Sequence, residues 1–305
     1  MKIEQSVVTG ILALTLLAAN PGISASIPSA GTQTDLVITA RPAVEGVEAS
    51  DIKVLQGKTP VPVLRLQRLA GELADMQLVV LLDDSTRSSS LGTQLPELKK
   101  FLGSLPATTL VAVGYMRNGA FAATQAFTAD HQKAAGALRL PESVPGENGS
   151  PYFALSDLVK HWPSTQPTDR RAVIMLTDGV DRYFGSASID DPYVDTAIRD
   201  SLKQGVLVYS IYLRGAGLYG RSDWVTNFAQ SRLNQVSQDT GGNAYFQNFS
   251  DPVSIAPFLN DFAERLDNQY RVTIQALGEK GVQPVKVRTE LPNTKIQAPA
   301  KIYVR

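Results

Sequence analysis

In the stretch MQLVVLLDDSTRSSS, residues 76–90, an apolar run leads directly into two carboxylates and a group of hydroxyls. A continuous Val/Leu run is typical of a strand buried on both faces, as found in parallel sheets covered by helices on both sides. Ligands of such sheets bind beyond the carboxyl ends of the strands. Asp83 and the hydroxyls after it are therefore candidate contacts for a hard cation or a polar partner.

Strands and helices alternate from this point onward. Apolar strand patterns recur at residues 109–116, 171–177, 206–213 and 243–246, with helical spacing of apolar residues between them. Asn118-Gly119 is a hairpin turn signal that leads into a further strand at 121–127. The order predicts that residues 76–268 form an α/β domain with a doubly wound, mostly parallel sheet.

Short strand patterns without helices occupy both ends of the chain. Residues 26–34 are small and polar and predict a flexible lead-in, whereas 35–75 hold three short strand patterns. Residues 269–305 hold three more, at 270–277, 284–291 and 295–304. We expect the segments 35–75 and 269–305 to build one small β-sandwich together.

The N-terminus has the pattern of an export signal. Residues 1–25 combine a basic start, an apolar core at 7–19 and a small-residue cleavage site. The apolar core is short for a membrane span, so we expect no span after signal removal and a periplasmic or extracellular protein. An uncleaved anchor is the alternative. The chain has no cysteine, which excludes disulfides and thiolate metal sites.

Charge and composition point away from nucleic acid. The chain has 29 basic and 29 acidic residues, 43% hydrophobic and 19% charged, as in an ordinary globular protein. Residues 270–305 hold seven basic and two acidic residues, but no stacking aromatics are interleaved with them. A solvated sheet face is the expected role of that segment.

Short-reach oxygens follow several of the predicted strands. Asp83 and Ser85 follow the first, Asp178 follows the strand at 171–177, and Ser150 lies in a loop before a helix. Oxygens from three loops at one sheet edge suit Mg²⁺ or Mn²⁺. Taken alone, Asp178 before a glycine only predicts a turn. The acidic residues 181, 190, 191 and 195 predict a solvated rim.

These motifs resemble the von Willebrand factor A (VWA) domain, in particular exported bacterial proteins that join it to flanking β segments. The resemblance covers residues 35–305 and rests on the D-x-S at 83–85, the loop before 150 and the T-D-G at 177–179. It implies that Asp83, Ser85, Ser150 and Asp178 hold the metal, with Ser150 in place of the usual Thr. It also implies that an acidic residue of a protein partner completes the coordination, as in an adhesion module without enzymatic activity.

Arg87 departs from this pattern because it occupies the position of the second serine, and a guanidinium cannot ligate a cation. In the first of three cases, the register begins at Asp84 instead. Alternatively Arg87 points outward and leaves a weaker site. In the third case Arg87 pairs with Asp83 and Asp178 and replaces the ion, as in a purely structural subunit.

An enzyme is the remaining alternative. His131 and His161 are the only histidines, and a serine hydrolase would combine Ser85 with His161 and Asp178. The G-x-S-x-G motif expected for such a nucleophile is absent from the sequence, as is a phosphate-binding glycine loop. The sequence therefore predicts a binding protein rather than an enzyme.

Overall fold

The computed structural model describes residues 31–44, 46–147, 149–183, 191–216, 219–278 and 280–305. The predicted signal peptide, residues 1–25, lies outside these ranges. The first strand begins at Thr32, so the end of the predicted lead-in 26–34 belongs to a strand. Within the described ranges, no helix has both the length and the apolar character needed to cross a lipid bilayer.

Strands and helices follow one another in the order that the sequence patterns predict. The strands are β1 Thr32–Arg41, β2 Ile52–Gln56, β3 Thr59–Val61, β4 Val63–Arg68, β5 Met76–Asp83, β6 Thr109–Arg117, β7 Ala120–Thr128, β8 Arg170–Thr177, β9 Val206–Tyr212, β10 Ala244–Tyr245, β11 Gln269–Ala276, β12 Gly281–Thr289, β13 Lys295–Gln297 and β14 Lys301–Val304. The helices are α1 Ser88–Gly92, α2 Leu95–Ser104, α3 His131–Gly136, α4 Pro151–Lys160, α5 Pro192–Gln204, α6 Asp223–Thr240 and α7 Ala256–Asp267.

The central sheet has the strand order β10-β9-β8-β5-β6-β7 and is parallel except for β7. Every residue of β5 is buried, and its alternate side chains enter two different cores. Leu78 and Leu82 pack in the core that includes α2, α3 and α7, whereas Val79 and Leu81 pack in the core that includes α4, α5 and α6. The predicted doubly wound, mostly parallel sheet is confirmed.

The antiparallel strand β7 follows from the turn that precedes it. Asn118 and Gly119 have φ angles of 51° and 72°, the left-handed conformation of a two-residue hairpin turn. Glycine adopts this conformation freely and asparagine tolerates it, so the Asn-Gly pair returns the chain beside β6.

Two four-stranded antiparallel sheets flank the central domain, with the orders β13-β1-β11-β4 and β14-β12-β2-β3. Their inner faces share one core that includes Ile38, Val54, Val272 and Ile302. The predicted sandwich of N- and C-terminal strands is thus present. The strand expected at 295–304 is divided between the two sheets, because Pro299 has no N–H with which to continue a ladder.

The sandwich and the central domain belong to one compact unit, residues 31–305. Arg41 of β1 forms an ion pair with Asp261 of α7 at 2.7 Å. Gln269 donates a hydrogen bond from Nε2 to the hydroxyl of Tyr209 in β9 at 3.1 Å. The flanking sheets are therefore fixed to the helix and strand layers that support the central sheet.

Candidate functional site

The carboxyl edge of the central sheet begins at Asp83, the last residue of β5, which is 1% exposed. Its Oδ1 accepts hydrogen bonds from the backbone N of Ser85 at 3.0 Å and from the Ser85 hydroxyl at 2.9 Å. Its Oδ2 accepts one from the Thr177 hydroxyl at 2.8 Å. The parallel register of β5 and β8 makes this contact possible, because Leu82 is opposite Leu176.

Asp178 follows directly after β8 and is also buried. Its Oδ1 accepts a hydrogen bond from the backbone N of Val180 at 3.0 Å, and its Oδ2 accepts one from Arg182 Nη2 at 2.6 Å. Burial raises the pKa of Asp178; Arg182 opposes this rise, and the negative charge of Asp83 adds to it. Asp83 and Asp178 therefore share one buried region, in which Arg182 supplies positive charge.

Ser150 is bound to a different carboxylate. It is fully buried and caps α4, where its hydroxyl accepts a hydrogen bond from the backbone N of Phe153 at 3.1 Å. The same hydroxyl donates to Asp181, a residue that is itself fully buried. The structure thus connects Ser85 directly with Asp83, whereas Ser150 belongs to a neighbouring pair with Asp181.

A second buried ion pair joins Asp191 and Arg232. Asp191 caps α5 and is 3.4 Å from the Nη1 atom of Arg232, which is 4% exposed on α6. Burial and the charge of Asp181 both raise the pKa of Asp191. The prediction of a solvated acidic rim is therefore wrong for Asp181 and Asp191, which are buried, whereas Asp195 is exposed and residue 190 lies outside the described ranges.

Asp84 faces a separate group of arginines. Its carboxylate is fully buried and forms ion pairs with Arg117 at 2.8 Å and Arg139 at 2.7 Å. Burial alone would raise the pKa of Asp84, but hydrogen bonds from Arg139, from the backbone N of Glu142 and from Arg117 lower it to about 2. The alternative register starting at Asp84 is wrong, because this carboxylate is fully engaged by these partners.

Arg87 does not replace the ion. It precedes α1 in an extended conformation, and its side chain lies against Gly220. A Cβ added to Gly220 would be only 2.8 Å from Arg87 Nη2. In the part of the chain that the structure describes, Arg87 forms no ion pair with Asp83 or Asp178. The predicted pairing of Arg87 is wrong; Arg182, four residues after Asp178, makes the contact instead.

The serine-hydrolase alternative combines Ser85 with His161 and Asp178. His161 is the residue that follows α4. The His161 ring contacts the carboxylate of Asp157 at 3.0 Å, and the Ser85 hydroxyl is bound to Asp83. Among the described residues, the structure shows no hydrogen bond between His161 and either Ser85 or Asp178.

Several oxygens at this edge already have hydrogen-bonding partners within the protein. One oxygen of Asp178 is occupied by Arg182, and the Ser150 hydroxyl is directed to Asp181. Within the described ranges, no three His, Cys, Asp or Glu side chains are grouped so that they could hold a metal ion. The assignment of Asp83, Ser85, Ser150 and Asp178 as ligands of Mg²⁺ or Mn²⁺ stays a prediction.

The central sheet has an antiparallel edge strand, β7, and the motifs at 83–85 and 177–179 lie at the carboxyl ends of β5 and β8. The chain resembles von Willebrand factor A domain proteins. No protein-family profile matches this VWA-like chain, and no curated protein matches it.

Solved structures similar to the VWA-like chain differ widely in sequence. An aerotolerance-related membrane protein from Bacteroides fragilis is 12% identical with a TM-score of 0.44, and the match covers 63% of this chain and 98% of that one. Proximal thread matrix protein 1 from the mussel byssus, with a zinc-occupied MIDAS motif, is 14% identical with a TM-score of 0.46, covering 67% and 48%. The pilus adhesin SpaC from Lactobacillus rhamnosus GG is 13% identical with a TM-score of 0.44, covering 73% and 39%. Because these scores are below 0.5, the fold assignment rests on this chain's own topology.

Proposed function

We propose that this chain is an exported, non-enzymatic protein-binding module of the adhesion type, and that it contacts its partner through the carboxyl edge of the central sheet. The observation that carries the proposal is a group of arginines around Gly220, here called the edge arginine cluster: Arg87, Arg214 and Arg221. Arg214 donates from Nε to the Gly220 carbonyl at 2.8 Å. The Arg87 guanidinium lies against the same glycine, and Arg221 is exposed next to it.

The charges of this cluster are available to a partner. Within the described ranges, no carboxylate forms an ion pair with Arg87, Arg214 or Arg221. The Asp251 carboxylate accepts a hydrogen bond from the backbone N of Arg214 at 2.6 Å, whereas Asp83 and Asp178 are buried and already hydrogen-bonded. Guanidinium groups bind carboxylates through paired, charge-assisted hydrogen bonds. We therefore infer a protein partner that offers acidic residues to arginines at the rim.

Exposed aromatic side chains supply apolar contact area at the same edge. Phe153 in the first turn of α4 is 47% exposed, Tyr183 in the loop after β8 is 54% exposed, and Trp224 in the first turn of α6 is 52% exposed. The Phe153 and Tyr183 rings are in edge-to-face contact with centroids 6.3 Å apart. Arginine and aromatic residues are enriched in the energetically important centres of protein interfaces. The combination supports a protein partner.

Site-specific photo-cross-linking tests this proposal. A photoreactive amino acid replaces Phe153 in the full chain, expressed in its own host, and Leu64 serves as the matched control because it is a 45% exposed apolar residue on β4 of the flanking sandwich. We expect a discrete adduct from position 153, none from position 64, loss of the adduct with Arg87→Glu and its retention with Arg87→Lys.

Three results would overturn the proposal: no adduct from position 153, the same adduct from position 64, or an adduct unaffected by Arg87→Glu. The first of these favours the second candidate, a structural subunit. That candidate is supported by the buried Asp178–Arg182 ion pair, which stabilises the edge without a bound ligand. Fractionation of the full chain, with and without residues 1–25, tests the proposed periplasmic or extracellular location.

A further inference from the structure

Arg182 follows β8 and is hydrogen-bonded to residues of two loops at the sheet edge. Its Nη2 atom donates to Asp178 at 2.6 Å, its Nη1 atom donates to the Val180 carbonyl at 3.3 Å, and its backbone N donates to the Gly149 carbonyl at 2.7 Å. Its side chain is only 10% exposed. The guanidinium is therefore directed inward onto the turn after β8, while the backbone of Arg182 is attached to the loop before α4.

The turn after β5 is joined to these loops through Gly146. The backbone N of Gly146 donates to the Ser85 carbonyl at 2.9 Å, which attaches the loop before α4 to the turn after β5. A Cβ placed on Gly146 would lie 3.9 Å from Arg182 Nη2, which is ordinary van der Waals distance. Arg182 Nη2 therefore lies close to the loop before α4, which is itself hydrogen-bonded to the turn after β5.

The hydroxyls and carboxylates around this point are already satisfied by one another. Both oxygens of Asp83 accept hydrogen bonds, from Ser85 and from Thr177, and both oxygens of Asp178 accept hydrogen bonds, from Val180 and from Arg182. Buried carboxylates require a positive partner, because an isolated buried charge is strongly unfavourable. A divalent ion at Asp178 would have to displace the arginine that now fulfils this requirement.

We propose that the Arg182 guanidinium is the permanent cation of this site, so that the chain keeps its edge structure without a divalent ion, and that removal of Arg182 exposes a latent site for Mg²⁺ or Mn²⁺. The proposal does not depend on the protein-binding function, since it concerns only what neutralises Asp178. It also gives Arg182, rather than Arg87, the role of the charge that replaces a metal.

Isothermal titration with Mn²⁺ after chelation tests the proposal on the full chain. For the wild-type chain we expect no saturable heat up to millimolar Mn²⁺ and no increase in Tm with Mn²⁺. For Arg182→Gln we expect one new binding site and a Mn²⁺-dependent rise in Tm. The matched control is Arg87→Gln, which removes a nearby guanidinium that does not contact Asp178 and should gain no affinity. Adding Asp178→Asn to Arg182→Gln should abolish the new site.

Each result decides the question. A Mn²⁺ site in the wild-type chain that Asp178→Asn removes overturns the proposal, as does a folded Arg182→Gln variant without Mn²⁺ affinity. If Arg182→Gln is unfolded after chelation, recovery of its circular dichroism spectrum on addition of Mn²⁺ supports the proposal and failure to recover overturns it. The wild-type titration and the retained-charge variant Arg182→Lys, for which we expect no Mn²⁺ binding, do not depend on that outcome.

Discussion

Removal of Arg182 should destabilise the protein by leaving Asp178 buried without its cation. The side chains of Arg182 and Asp178 are 10% and 5% exposed and are joined at 2.6 Å. Breaking such a buried pair by removal of one partner costs about 3–5 kcal/mol. The second Arg182 bond, to the Val180 carbonyl at 3.3 Å, is long and adds little. We therefore expect Arg182→Ala to lower the free energy of unfolding by about 3 kcal/mol and Tm by roughly 6–10 °C.

A double-mutant cycle separates the ion pair from the loss of packing. Urea unfolding, followed by the fluorescence of the two tryptophans in the presence of a chelator, is measured for the wild type, Arg182→Ala, Asp178→Asn and the double variant. We expect a coupling free energy of about 2 kcal/mol or more, since the double variant leaves no unpaired buried charge. The control cycle, Arg87→Ala with Asp178→Asn, should be additive within about 0.5 kcal/mol. Additivity in the Arg182 cycle would show that Arg182 and Asp178 do not stabilise each other.

Three further predictions concern other parts of the fold. The pKa of Asp84 is lowered to about 2, so the ionised carboxylate stabilises the folded protein above the unfolded pKa of 3.8, and this stabilisation is lost as pH falls toward 2. In urea titrations, Asp84→Asn should therefore lower the free energy of unfolding by about 1–2 kcal/mol at pH 6 and by less at pH 3. The value is reduced because Arg117 is half exposed to solvent. Ile38→Ala, at a fully buried position of β1, should cost about 3 kcal/mol by the same assay, and a cost below about 1 kcal/mol would contradict the shared sandwich core. Gly220→Ala should lower Tm by several degrees in a thermal scan, because the added Cβ would lie 1.9 Å from the Gly215 carbonyl oxygen and 2.8 Å from Arg87 Nη2. An unchanged Tm would contradict the placement of the edge arginine cluster.

The fold was predictable because its main elements are strongly patterned. The apolar run at 76–82 has no periodicity of two, which identifies a strand buried on both faces, and the Asn118-Gly119 pair identifies the antiparallel hairpin. These signals are local and agree with the packing observed. Pro299 also indicates a break in the strand predicted over 295–304, because a proline cannot donate to the hydrogen-bond ladder.

The candidate site was only partly predictable, because its contacts are made by loops. The register that places Asp83 beside Thr177 follows from the strands, and the structure brings these residues together. By contrast, Ser150 selects Asp181 because the loop after Thr177 folds back against the N-terminus of α4. No periodicity in the sequence specifies such a return of the chain, so the burial of Asp181 and Asp191 was not foreseen.

Arg87 and Arg182 show how sequence position misleads in such a loop. Arg87 occupies the motif position, but it is the extended residue that directly precedes α1, and its side chain lies against Gly220. Arg182 matches no motif, yet it is a cation four residues after Asp178 in the same turn. Buried carboxylates require a positive partner, and this requirement, applied to the cations of the neighbouring loops, could have pointed to Arg182.

A crystal structure of the full chain grown in millimolar Mn²⁺, with an anomalous difference map recorded at the manganese absorption edge, tests most directly whether Arg182 is the cation of the sheet edge. We expect no anomalous peak at this edge, with Arg182 Nη2 hydrogen-bonded to Asp178. A peak coordinated by Ser85 and Asp178, with the Arg182 side chain displaced, would contradict this expectation.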